Sequence, residues 1–289
     1  MRDALSLLDR AVATLGRPDD AVREFEAALA LRPDSTEALK DEAIVFLQQK
    51  DGPRAVKRVN DQITKVPGNA SLYALLGSVY EAGGNASKAE EAYYRAIATD
   101  PKVVTPYLLL GGLYARAHGY TMATQKYEEA IRLNPRLLPG YVLLSVMYEQ
   151  QGNVARSRQY LEQALKIDAT FAPAANNLAF SLVEHGGDVN RAVALAETAY
   201  RQTPADPHVM DTLGWIYLKK GLPQRALPLL QTSAGRLPND AVVHYHLGLA
   251  YYRLGNTDMA RRELHRALAT GQDFGQVDEV RRTLASLGG

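Results

Sequence analysis

The chain has 289 residues, 46% of them apolar and 22% charged, with 33 Lys plus Arg against 32 Asp plus Glu. A formal charge of +1 supplies no broad field to hold nucleic acid or an anionic bilayer, and the lack of cysteine removes disulfides, thiolate metal sites and cysteine nucleophiles. The longest apolar stretches, 103–115 and 141–148, fall short of the roughly 20 residues that cross a bilayer, and residues 1–12 mix charged with apolar side chains instead of forming a signal peptide.

A period of 34 residues organises the chain. Repeats begin at Arg2, Thr36, Ala70, Val104, Leu138, Ala172, Pro207 and Ala241, with one extra residue in the sixth. The eighth position holds Asp9, Ala43, Gly77, Gly111, Ser145, Ala179, Gly214 and Gly248; the twentieth holds Ala21, Ala55, Ala89, Ala123, Ser157, Ala192, Ala226 and Ala260. Side chains this small allow helix axes to approach to about 8 Å, so the two positions are expected to face each other.

Within each repeat the first half carries apolar residues at i, i+3, i+4 and i+7, as in Tyr73, Leu76, Gly77 and Tyr80, and the second half repeats the pattern in Ala89, Tyr93, Ala96 and Ile97. Two amphipathic helices per repeat follow. Gly84, Gly119, Gly152, Gly186, Gly221 and Gly255 are placed to turn the chain between them in the left-handed backbone conformation. Pro33, Pro67, Pro101, Pro135, Pro204 and Pro238 stop the second helix, and Pro106, Pro139, Pro173 and Pro207 sit in the first turn of the next one, where a missing N–H costs nothing. After the eighth repeat, Val277, Val280, Leu284 and Leu287 share one helical face and read as a cap over the last core.

The runs Leu76-Gly77-Ser78-Val79-Tyr80 to Pro101 and Leu213-Gly214-Trp215-Ile216-Tyr217 to Pro238 resemble tetratricopeptide repeats, whose Leu-Gly, Tyr, Ala, aromatic, Ala and Pro pattern they match. The resemblance extends over nearly the whole chain; the first repeat departs from it at Asp9 and Val12. It implies an all-α fold, a right-handed superhelical α-solenoid of about eight helix-turn-helix units in one domain. The units are 2–35, 36–69, 70–103, 104–137, 138–171, 172–206, 207–240 and 241–273, followed by a capping helix at 274–287.

No reaction chemistry stands out, so the chain reads as a non-enzyme with no cofactor and no metal. His244 and His246 differ by about 200° around a helix and cannot chelate one ion. The Gly-Gly pairs lack the Gly-Lys-Ser/Thr of a phosphate loop, and Glu90-Glu91 and Glu128-Glu129 read as solvated faces.

The resemblance also implies a concave wall built from the first helix of each repeat, which in that family binds an extended peptide or a partner. The positions one step round from the packing stripe are the fifth, ninth and twelfth. In repeats four to eight they give Leu108, Gly112, Ala115, Val142, Val146, Glu149, Asn176, Phe180, Val183, Asp211, Trp215, Leu218, Tyr245, Leu249 and Tyr252, with His208, Lys219 and Arg253 on a polar rim. A second apolar stripe exceeds what a helix needs for its own packing, so either neighbouring first helices cover aliphatic members such as Leu108, Val142 and Leu249, or a partner does. The aromatic members are harder to hide and favour a partner, with Trp215 as anchor. Repeats one to three offer a more polar wall, including Lys40, Ile44, Leu47, Ala74 and Ser78. The Lys and Asn clamp that family members use on a terminal carboxylate is missing, which favours an apolar helix or strand as guest.

The leading reading is therefore a non-catalytic protein–protein interaction scaffold, an adaptor with a protein or peptide partner, no nucleic acid and no membrane insertion. Residues 176–215 also resemble repeats of bacterial envelope proteins of the exopolysaccharide, exosortase and lipoprotein-adaptor kinds, which points to a periplasmic or envelope location without excluding the cytoplasm. Two alternatives stand beside it: a substrate-recruiting portion of a larger enzyme such as a glycosyltransferase, and a self-associating scaffold forming a homo-oligomer.

Overall fold

The structure, a computed structural model, describes residues 18–271 and 274–287. The first helix expected for repeat one, with Asp9, lies outside the described residues. The chain divides into two compact units, Met1–Gln151 and Gly152–Gly289. The N-terminal unit contains α1 (Pro18–Leu31), α2 (Thr36–Gln48), α3 (Gly52–Lys65), α4 (Ala70–Ala82), α5 (Ala86–Thr99), α6 (Thr105–Arg116), α7 (Tyr120–Leu133) and α8 (Leu138–Gln150). The C-terminal unit contains α9 (Val154–Ile167), α10 (Ala172–Glu184), α11 (Val189–Gln202), α12 (Pro207–Lys219), α13 (Pro223–Arg236), α14 (Ala241–Arg253), α15 (Thr257–Ala269) and α16 (Val277–Leu287). Every regular element among the described residues is a helix, and the fold class is an α-solenoid built of helix pairs.

The 34-residue period is the period of these pairs. Within each unit the helices pack on their chain neighbours, and successive first helices also touch, α2 on α4 and α4 on α6 in one unit, α10 on α12 and α12 on α14 in the other. The small positions sit where the two helices of a pair approach. A Cβ on Gly214 would stand 2.7 Å from Leu230 Cγ and 3.3 Å from the Ala226 carbonyl; one on Gly77 would run into the Tyr93 ring. Ala89, Ala123, Ala192, Ala226 and Ala260 on the opposite helices are fully buried. In repeats three, four, seven and eight a bulky residue is thus received by a glycine, and the close approach follows from their sizes.

The proline stops recur with a partner. Tyr107 donates its O–H to the Pro101 carbonyl (3.0 Å) and Tyr141 to the Pro135 carbonyl (2.9 Å), six residues back in each case. In repeat eight His244 takes that place, its Nε2 lying 3.0 Å from the Pro238 carbonyl. In these three repeats the proline carbonyl just past the end of one helix is satisfied from the helix that follows.

The turns largely follow the expected glycines: Gly84, Gly152, Gly186, Gly221 and Gly255 have φ of 76°, 72°, 70°, 81° and 76°. Repeat four corrects the expectation. Gly119 is the N-cap of α7 at φ −80°, and His118 before it adopts φ 58°. Repeat two does the same with Lys50 at φ 60°. A side chain in this region is strained by about 1 kcal/mol, so Lys50→Gly is expected to raise the stability of the N-terminal unit by about that amount in urea denaturation.

The C-terminal helix α16 packs on α15. Val280 is fully buried, Val277, Leu284 and Leu287 are half-buried, and Arg281 and Arg282 point to solvent. Arg261 of α15 donates to the Leu287 carbonyl at 2.5 Å, tying down the end of the cap.

Candidate partner-binding surfaces

In the N-terminal unit the first helices α2, α4 and α6 enclose an apolar cavity of about 410 Å³. Its floor is Ala43, Ala74, Leu75, Val79 and Leu109, and Ile44 and Leu47 form one wall. Thr36, Lys40, Ser71, Ser78 and Thr105 add polar groups. α4 presents the small Ala74 and Ser78 to this space, where the fifth position of repeats four and five carries Leu108 and Val142. Ile44 beside it is 39% exposed, a large aliphatic side chain with no cover. The apolar concavity described here lies in repeats two to four, at the end that polarity alone marks as the less apolar one. Farther along the same unit, Leu108 and Val142 are half-buried and Val146 is 38% exposed.

The C-terminal unit treats its expected contact residues differently. Phe180 and Tyr252 are 37% and 40% exposed; His208, Lys219 and Arg253 are exposed; Asn176, Val183 and Leu249 are half-buried. Asp211, Leu218, Trp215 and Tyr245 are buried. This corrects the expectation that Trp215 stands free as an anchor: it is 3% exposed, stacked on His246 of α14 with centroids 4.0 Å apart and planes 15° apart. Its indole N–H donates to Glu184 Oε1 of α10 at 2.7 Å, and the Lys219 ammonium lies 4.5 Å from its ring centroid. Tyr245, 1% exposed, is covered by Trp215 on one side and Phe274 on the other, at 5.7 and 6.0 Å. The unit fills this part of its own wall with aromatic rings, because repeat eight and the segment before α16 supply partners of matching size.

Polar side chains bridge successive repeats. Tyr114 donates to Glu90 (2.5 Å), Tyr148 to Glu128 (2.9 Å) and Tyr217 to Glu197 (2.6 Å), each joining a first helix to the second helix of the preceding repeat. Glu90 and Glu128 are therefore acceptors at repeat seams, a correction to their reading as simple solvated faces. Burial, then the Glu197 acceptor, pushes the Tyr217 phenol up to about 12; Tyr114 and Tyr245 are raised for the same first reason. These phenols are neutral hydrogen-bond donors at physiological pH. Among the described residues no group of three or more His, Cys, Asp or Glu is arranged to hold a metal ion, and His244 and His246 point away from each other, to Glu263 and to Asp211. The surfaces offer shape and apolar area.

Family comparison agrees with this architecture. Tetratricopeptide repeat profiles match residues 13–79, 70–103, 138–171 and 217–287, and the chain belongs to the tetratricopeptide repeat family. It is 37% identical over 78 residues to mouse interferon-induced protein with tetratricopeptide repeats 2; the match covers 26% of this chain and 16% of that protein. Among solved structures, a chain of the APC/C hetero-tetramer Cut9–Hcn1 is similar with a TM-score of 0.70 at 19% identity, over 98% of this chain and 55% of that one. A tetratricopeptide repeat protein from Parabacteroides merdae is similar with a TM-score of 0.61 at 17% identity, over 88% and 99%. These likenesses establish the fold. Proteins of this repeat family are typically non-catalytic scaffolds, and no helix among the described residues is long and apolar enough to cross a membrane.

Proposed function

We propose that this chain is a non-catalytic interaction scaffold that takes an apolar segment of a partner protein on the faces of its first helices. The cavity between α2, α4 and α6 carries the reading. It is apolar and roofless, and helices already packed along one stripe gain nothing for their own stability from Ile44 standing in solvent. A guest helix or strand inserting one aliphatic side chain over Ala74 and Ser78 would cover Ile44 and Leu47 together. Phe180 and Tyr252 in the C-terminal unit, and Val146 in the N-terminal one, are further contact residues on this reading, with the exposed Arg253 next to Tyr252 in sequence. An assembly role at a bacterial envelope is the setting we propose for this scaffold, from the pattern read in residues 176–215 alone.

The test is direct binding. Peptides selected from a random library on the intact protein are titrated by fluorescence anisotropy against the wild type, Ile44→Glu and Phe180→Glu. Both positions are solvent-facing, so helicity is expected to stay constant. A charge at the cavity should weaken cavity-bound peptides at least tenfold, about 1.4 kcal/mol. Affinities unchanged in both variants would remove the first-helix faces from the function.

A further inference from the structure

Repeat eight supplies the histidines of two buried histidine–carboxylate pairs on opposite sides of α14. His246 Nδ1 lies 3.0 and 2.9 Å from the two oxygens of Asp211 in α12. His244 is the more constrained. Its Nε2 is 3.0 Å from the Pro238 carbonyl and its Nδ1 is 2.7 Å from Glu263 Oε2 in α15. Both side chains are almost fully enclosed, at 3% and 4% exposure.

Donor counting fixes what this arrangement contains. A carbonyl oxygen only accepts, so Nε2 carries a hydrogen, as the Tyr107 and Tyr141 hydroxyls do at the equivalent carbonyls. A neutral imidazole then has a lone pair at Nδ1. Facing an ionised Glu263 at 2.7 Å, that lone pair would meet another with no proton between them, and burial would make the clash costly. The contact closes only if the pair holds one more proton, as imidazolium with carboxylate or as imidazole with carboxylic acid. We propose that repeat eight is a proton-dependent latch, in which the proton shared by His244 and Glu263 keeps α14 and α15 together and its release to solvent loosens the repeat and the α16 cap.

The surroundings fit a single controlling proton. From α15 the pair meets Arg266, whose guanidinium is 3.2 Å from Glu263 Oε1 and mostly exposed. The turn before α14 brings Pro238 and Asn239, α13 presents Ala234 and Gly235, and a cavity of about 430 Å³ lined by His244 and Arg266 gives the proton access to solvent. His246, on the far face of α14, answers to Asp211. When the proton leaves, a neutral imidazole and a carboxylate remain in contact. Separating α14 from α15 relieves this, and α16 goes with them because it packs on α15. The folded pair binds one proton more than the same groups in the open chain above the ordinary histidine range, so opening becomes more favourable as pH rises, by up to tenfold per pH unit.

The sole tryptophan reports the event, because Trp215 is stacked on α14 through His246. Hydrogen exchange of the full chain, expressed as protection factors, and the emission wavelength of Trp215 are compared between about pH 6 and about pH 9, a span bracketing histidine titration. In the wild type, protection in α14, α15 and α16 should fall by up to tenfold per pH unit while α10 and α11 hold, and Trp215 emission should move to the red. His244→Tyr combined with Glu263→Gln restores the donor that repeats four and five use and leaves no carboxylate that needs a proton. Glu263→Gln offers an amide N–H to a neutral Nδ1. Both variants should be flat across the range, and either decides the matter if the other fails to fold. The stacked His246 ring can quench Trp215 in all three proteins, so wavelength is read rather than intensity. A flat wild type, or variants that fall as steeply as it does, would overturn the latch.

Discussion

Trp215→Ala is expected to destabilise the C-terminal unit by about 3 to 5 kcal/mol, the range for truncating an enclosed large aromatic. The indole fills the space between α10, α12 and α14, donates to Glu184 and supports the stacked His246. Its removal leaves a cavity, takes the donor from Glu184 and uncovers His246 and Tyr245 together. Urea denaturation followed by far-UV circular dichroism measures the loss, and hydrogen exchange places it in α12 and α14. Trp215→Phe keeps most of the ring stack but cannot donate, and should cost about 1 to 2 kcal/mol. The opposite outcome, intact stability with partner binding lost, would restore Trp215 as a contact residue and remove its role as the bolt between repeats.

The contrast between Trp215 and Phe180 shows how much the sequence disclosed. The period, the helix pairs, the glycine and alanine contacts and the proline stops follow from residue size and backbone chemistry alone, and the structure places them as read. Both aromatic residues occupy the ninth position of a first helix, yet one is 3% exposed and the other 37%. The difference is set by the following repeat, which carries His246 at its sixth position in one case and Thr212 in the other. A period-based reading of one helix cannot separate a seam from a groove; pairing position nine with position six of the next repeat would have flagged it. The cavity at Ala74 and Ser78 escaped for a related reason. Polarity draws attention to large apolar residues, whereas a concavity is made by small ones beside an uncovered Ile44. His118 and Lys50 were invisible as turn residues because their left-handed backbone is imposed by the helices on either side.

The pair Glu42 and Arg58 should reverse the usual cost of mutating a core. Glu42 stands where the other repeats carry Leu76, Leu110, Leu144, Leu178, Leu213 and Leu247. It is fully buried and ion-paired with Arg58 Nε at 3.0 Å, and burial raises its carboxyl above the ordinary range despite that partner. Desolvation therefore outweighs the attraction, and the pair is a weak point of repeat two. Glu42→Leu with Arg58→Ala installs the residues repeat three already uses, Leu76 and Ala92, and is expected to stabilise the N-terminal unit by about 1 to 4 kcal/mol. Arg58→Ala alone strands a buried carboxylate and should cost about 3 kcal/mol. The pH dependence has a fixed sign. Because the folded-state value lies above 4.5, Glu42's contribution is fully present below that pH and is lost as pH rises through the raised value. The advantage of the double variant should therefore be smallest in acid and grow toward neutrality. Urea midpoints at a series of pH values measure this directly. A double variant less stable than the wild type at neutral pH would show that the ion pair, with its link through Gln62 to the Pro33 carbonyl, holds repeat two together more strongly than a leucine does.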